Sequence, residues 1–276
     1  MKPLIYISIV MLLMSACGAS DNNNTESSPE TEVADTLVTT DVASDSSEVD
    51  TLTEMDDETT IDVTALMTKF NTVFDLPLKI DSAFVTQFSS ESAEDPYTLT
   101  GSEVAYLLRK MTTDQATSSA DYMPKEFIKL DSIKKNGNYK EYQDNLDLGM
   151  TRYSHAKPVG KVIWDEQLTI YLWSLDYATY EACPYAAGTY VFGTVFYQGK
   201  ARNTTLLGED SGGGDPPVWG RTLTEGLLTE LGLSVDHSNT YGEEDYESGE
   251  EIITKNEEYS EFEITPNGFE LVPDGI

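Results

Sequence analysis

From Thr189 to Tyr197 every residue but Gly193 is β-branched or aromatic, and no other stretch limits the fold so strongly. Side chains of that shape fit a pleated, half-buried surface. Gln198-Gly199 then supplies a turn before a second run, so residues 188–198 and 200–207 read as a hairpin. The whole of 159–272 continues in this grammar. Residues 161–165 and 167–175 form another predicted hairpin around Glu166. In its second arm Leu168, Ile170 and Leu172 share one face, and Tyr171, Trp173 and Leu175 the other. Both faces are apolar, which predicts a central strand covered on both sides.

Further along, residues 208–217 read as a loop that Gly212, Gly213 and Gly214 leave mobile. Residues 221–235 fit either a strand or a helix. Gly226 and Gly232 penalise the helix, so strands interrupted by bulges are expected. Residues 236–250 read as an acidic loop. Residues 252–254, 258–265 and 269–272 close the fold as short strands, the last two joined by Pro266-Asn267-Gly268.

Upstream, residues 61–73 have helical spacing in Val63, Leu66, Met67 and Phe70, with Asp62 near the start and Leu76-Pro77 as a stop. Leu78, Ile80, Ala83 and Phe84 suggest an extended piece. A short helix is expected over 102–111. Residues 127–133 are apolar and fit more than one element, and 145–153 reads as a further strand. The expected class is α+β: short N-terminal helices followed by an antiparallel β-meander, sandwich-like or half-propeller-like.

The 276 residues carry a formal charge of −32 and only two His and two Cys. So acidic a chain lacks the basic face that nucleic acids require, and it would not adhere to anionic lipid heads through its surface. The first residues read as an export signal. Lys2 is a positive n-region, and Leu4 to Met14 an apolar core too short to span a bilayer. Met14-Ser15-Ala16-Cys17 resembles the lipobox of bacterial lipoproteins, with Met14 where Leu is usual. That resemblance implies cleavage after residue 16 and acylation of Cys17, which would anchor the chain in a membrane. Cys183 then has no intrachain partner, so no disulfide framework is expected.

Residues 17–60 read as a disordered acidic tether. From Gly18 onward this segment has no Lys, Arg, Phe, Tyr or Trp, and it cannot bury enough apolar surface to offset its ordering entropy. Some forty flexible residues span roughly 35 Å. The expected organisation is thus a signal peptide at 1–16, the tether, and one globular domain at 61–276. That domain has a helical and mixed part at 61–150 and the meander at 151–276.

The layout resembles a set of Bacteroidetes lipoproteins that combine a lipobox, a Ser/Thr/acid linker, a short helix before Leu-Pro and an antiparallel meander. The matching pieces are Phe70-Asn71 through Leu76-Pro77, Val159-Gly160-Lys161-Val162, Phe196-Tyr197-Gln198-Gly199-Lys200, and Tyr259 to Phe269. The resemblance implies an outer-membrane location, and Asp21 soon after Cys17 resembles a surface-export signal. It also implies O-glycosylation at Asp-(Ser/Thr)-apolar tripeptides. Asp35-Thr36-Leu37 and Asp50-Thr51-Leu52 match, making Thr36 and Thr51 the candidate acceptors. The family brings no catalytic residues to transfer.

The residues themselves offer little chemistry. Ser154 and His155 are adjacent, so in a strand they point to opposite faces, and no nucleophile elbow is present. No catalytic residue is assigned and no cofactor or metal is expected. Glu243, Glu244, Asp245 and Glu247 form a weak calcium candidate without EF-hand spacing. Aromatic residues crowd 171–197 and mostly suit cross-strand pairing. Tyr177, Tyr180 and Tyr185, expected in a loop, are the candidate ligand-binding set. The reading is a tethered, non-catalytic module of the cell envelope that binds a protein or glycan partner or plays a structural part. The alternative is a carboxylate-based extracytoplasmic hydrolase acting on glycans.

Overall fold

Seven long strands and a short last one run back and forth in chain order: β3 (Thr151–Ile163), β4 (Leu168–Thr179), β5 (Tyr185–Tyr197), β6 (Lys200–Asp215), β7 (Val218–Thr229), β8 (Gly232–Glu244), β9 (Glu251–Thr265) and β10 (Gly268–Leu271). Each pairs antiparallel with the next, and two short strands join the same sheet: β1 (Leu78–Ile80) on β7, and β2 (Lys110–Met111) parallel to β6. The computed structural model describes residues 61–90, 99–108, 110–111, 118–138, 140, 151–179, 185–215, 217–245, 248 and 250–273. All of them belong to one compact unit, Asp56–Ile276. Cys17, Thr36 and Thr51 lie outside the described residues.

Short turns set the meander. Tyr197 pairs with Lys200, and Gln198 (φ 51°) and Gly199 (φ 76°) both take the left-handed conformation that a two-residue hairpin demands. Glu230-Leu231 and Pro266-Asn267 make the equivalent connections of β7 to β8 and β9 to β10.

Around β4 and β5 the sheet buries both faces, as the two apolar sides of residues 167–175 predict. Trp173, Leu175, Tyr190 and Phe192 pack on one side with α1 (Val63–Thr68), α3 (Gly101–Leu107) and α4 (Ser118–Lys135). Leu168, Ile170, Leu172, Val191 and Val195 pack on the other, beneath β1 and α2 (Ser82–Val85). A bulge at the middle of β6 serves both layers. Phe192 opposes Leu206 while Val191 opposes Gly208, so Leu207 is the extra residue. Leu206 therefore enters the first core and Leu207 the second. Before Gly208 the sheet forks: Asn203 and Thr204 of β6 pair with β2, and Gly226 to Leu228 of β7 pair with β1.

All ten strands form a single sheet. This corrects the sandwich-like and half-propeller-like expectations, which need two sheets or separate blades. The fold is predominantly antiparallel β with few helices. Residues 208–215 are strand, not mobile loop, because their main chain pairs with β5 and β7 throughout. Residues 236–244 are strand for the same reason, and 251–265 is one strand instead of two. The expected bulges in 221–235 are replaced by a turn, with β7 and β8 in unbroken register.

The helices differ in length from expectation. Asp62 caps α1, its carboxylate accepting from Ala65 N–H at 3.0 Å, but α1 ends at Thr68. α3 stops at Leu107, and residues 110–111 leave it to join the sheet. The extended piece around Leu78 is β1 followed directly by α2, and residues 127–133 belong to the eighteen-residue α4.

Candidate ligand-binding trough

Cross-strand partners share a sheet face, so the register defines what the distal ends of β5 to β9 present. One row reads Tyr185, Gly214, Trp219, Gly242, Ile253, and the next reads Ala187, Gly212, Arg221, Thr240, Lys255. Glycines between the aromatic residues leave a hollow of about 920 Å³, lined by Tyr185, Gly212, Gly214, Trp219, Arg221 and Glu251 among others. Tyr185 and Trp219 stand two strand spacings apart, roughly 10 Å.

The trough's walls are held in place. A Cβ on Gly242 would lie 2.3 Å from the Trp219 indole, so the ring rests directly on that strand's backbone. Its Nε1–H donates to Glu251 Oε1 at 2.7 Å, and the residue stays 36 % exposed. Arg221 donates to both oxygens of Asp210, at 3.2 and 3.0 Å, and Ser82 Oγ donates to the same carboxylate. The guanidinium is therefore fixed and its charge neutralised, while Glu244 and Glu251 oppose each other across β8 and β9. An ordered aromatic surface with hydrogen-bonding groups at its rim suits a ligand that has both an apolar face and hydroxyls.

Two buried polar clusters lie elsewhere. Burial pushes the Glu209 carboxyl up to about 7, against hydrogen bonds from Ser211 and Thr224 that favour its charged form. Thr224 also bonds His237 Nδ1 at 2.8 Å, and burial lowers the pKa of that imidazole. In the second cluster, His155 Nδ1 is 3.0 Å from Ser90 Oγ, which also accepts from Lys157 Nζ at 3.1 Å. Asp176 accepts from Ser90 N–H at 3.0 Å and from Thr189 Oγ1 at 2.7 Å. Ser90 is only 8 % exposed, and the cluster fastens it to the sheet.

The structure corrects part of the sequence-derived site. Tyr177 is not in a loop. It lies within β4, is 6 % exposed and stacks on Tyr190, because β4 runs to Thr179. Tyr185 begins β5 and does reach the trough, while Tyr180 lies outside the described residues. Glu243 and Glu244 are successive residues of β8 and point to opposite faces. Asp245 follows the strand, and Glu247 lies outside the described residues. Among the described residues no three His, Cys, Asp or Glu side chains converge as a metal site. Trp219, Arg221 and Gly242 went unrecognised in sequence. The one signal for them was Trp219 in a Gly-rich, strand-forming context. No known protein family matches the chain, nor does any curated protein or solved structure.

Proposed function

We propose that this chain is a lipid-anchored outer-membrane lipoprotein whose α+β unit, residues 61–276, binds a neutral glycan in the trough without catalysing a reaction. The row Tyr185–Gly214–Trp219–Gly242 carries the reading. Sugar rings combine an apolar C–H face with hydroxyls, and this row offers an indole on a glycine floor with carboxylates and main-chain groups around it. Arg221 is neutralised by Asp210 and the chain is strongly acidic, which disfavours anionic polymers. Met14-Ser15-Ala16-Cys17 supports the anchor, and residues 18–60 support a tether carrying glycosylated Thr36 or Thr51.

The test is calorimetry against a panel of neutral oligosaccharides. Binding by the wild type that Trp219→Ala abolishes supports the reading, and no binding across the panel overturns it. For the anchor, a labelled fatty acid should be incorporated by wild type and not by Cys17→Ser.

A hydrolase is the second reading, because Glu244 and Glu251 are cross-strand partners at the trough. Two carboxylates flanking one bond are the machinery of a glycosidase. Turnover that is lost in both Glu244→Gln and Glu251→Gln, with binding kept, would establish it.

A further inference from the structure

The two edges of the sheet are finished differently. Along β3, Lys161 N–H donates to Thr72 O at 2.8 Å, Phe74 N–H to Lys161 O at 2.9 Å, and Leu99 N–H to Ala156 O at 3.1 Å. That edge is covered. At the other edge β9 pairs with β8 from Glu251 to Phe262, but only Phe262 to Thr265 pair with β10.

The direction of the free groups follows from one bond. Val272 N–H donates to Glu261 O at 2.8 Å, so Glu261 turns its main chain away from β8. Antiparallel pairing alternates this direction residue by residue. Ile253, Lys255, Glu257 and Tyr259 therefore also present N–H and C=O outward, and no main-chain partner meets them among the described residues.

Such an edge is a template for another strand, and proteins ordinarily blunt it with Pro, bulges, short length or charged side chains, lysine above all. This one has no Pro and keeps unbroken register with β8. Its single lysine, Lys255, is ion-paired to Glu257. Ile252 and Ile253 are 63 % and 57 % exposed, and Tyr259 is 55 % exposed. Carboxylates flank them at Glu251, Glu257, Glu258 and Glu261.

We propose that the β9 edge between Ile253 and Tyr259 receives an extended basic segment of a partner protein as an added strand. The main chain supplies the hydrogen bonds and alternate side chains the selectivity. Basic residues opposite Glu258 on one face, with β-branched residues opposite Ile253 and Tyr259 on the other, complement this surface. A second copy of the chain fits worse. Antiparallel self-pairing centred on Asn256 would set Glu251 against Glu261 and join two chains of charge −32 each.

The test uses the full chain and two capped eight-residue peptides, one alternating lysine with valine and one glutamate with valine. The lysine peptide should slow amide exchange at Ile253, Lys255, Glu257 and Tyr259 by about tenfold or more, the scale of lost desolvation and hydrogen bonding at one such site. The glutamate peptide should not. Lys255→Pro removes an outward N–H that β8 does not use, so it should abolish the protection with the melting temperature unchanged. A lysine peptide N-methylated at alternate residues should fail on the wild type, which gives the same answer if the proline variant misfolds. Equal protection by both peptides, or none by either, overturns the proposal. So does protection without peptide in a chain that sediments as a dimer.

Discussion

Asn203 bonds Phe269 at both main-chain groups: its Nδ2 donates to the Phe269 carbonyl at 2.8 Å, and the Phe269 N–H donates to Oδ1 at 2.8 Å. β6 and β10 lie four steps apart in the sheet order, so this side chain clips the curled sheet onto itself. Phe269 is buried in the core behind the clip. Asn203→Ala leaves two main-chain groups without these partners, at about 1–3 kcal/mol each. The urea midpoint should fall accordingly, and Asn203→Asp, which keeps one acceptor, should fall less. An unchanged midpoint for Asn203→Ala would show that the clip contributes nothing.

Thr194 and Thr204 both donate to the Leu107 carbonyl, at 3.1 and 2.7 Å, where α3 ends on the sheet. Thr194 Oγ1 also accepts from Trp173 Nε1 at 3.0 Å. Thr194→Val keeps the shape but strands a buried indole N–H, so a loss of about 1–3 kcal/mol is expected. Thr204→Val should cost less, because Leu107 keeps Thr194. Denaturant unfolding of the two variants checks the order.

Glu209 makes stability fall as pH rises. Its folded pKa of about 7 exceeds the ordinary 4.5 because burial penalises the charged form. Between these values the folded chain binds more protons than the unfolded one, so the contribution is complete below pH 4.5 and lost by pH 7, about 3 kcal/mol in all. Asp176, also raised by burial, acts in the same direction. His237, lowered by burial, acts in the opposite one and loses stability as pH falls below 6.5. The difference between wild type and Glu209→Gln isolates Glu209: the variant should lose less stability between pH 4.5 and 7. Parallel stability curves would contradict a buried, protonated Glu209.

What the sequence disclosed divides along one line. Where the sheet is buried, as in residues 167–175 and 188–207, runs of apolar, β-branched and aromatic side chains expose the strand. Where both faces meet water, as in residues 236–244, polarity has no period, and the main-chain ladder that holds β8 leaves no mark in the side chains. Gly213 shows the same limit. A Cβ there would lie 2.1 Å from Tyr185 O, so a glycine that reads as flexible is a glycine needed for close strands. The Ser90, His155 and Asp176 cluster joins residues up to 86 apart, and no local pattern announces it. Tyr185 was legible as an exposed aromatic. Trp219 was not, because its role depends on Gly242, two strands' length away in sequence.

Gly242 separates stability from binding. Its backbone is extended and not left-handed, so alanine fits the strand and should even stabilise it by about 0.5–1 kcal/mol. The new Cβ, however, would meet Trp219 Cε2, Nε1 and Cζ2 at 2.3, 2.4 and 2.6 Å. The indole must lift, which breaks its bond to Glu251 and fills the hollow that a sugar ring would occupy. Gly242→Ala should therefore unfold at an equal or higher urea concentration than wild type. It should also bind the best neutral oligosaccharide at least about tenfold more weakly, the scale of one lost aromatic contact. Calorimetry on the folded variant reads the second quantity directly. Wild-type affinity in Gly242→Ala would mean that the position of the Trp219 ring does not govern the trough.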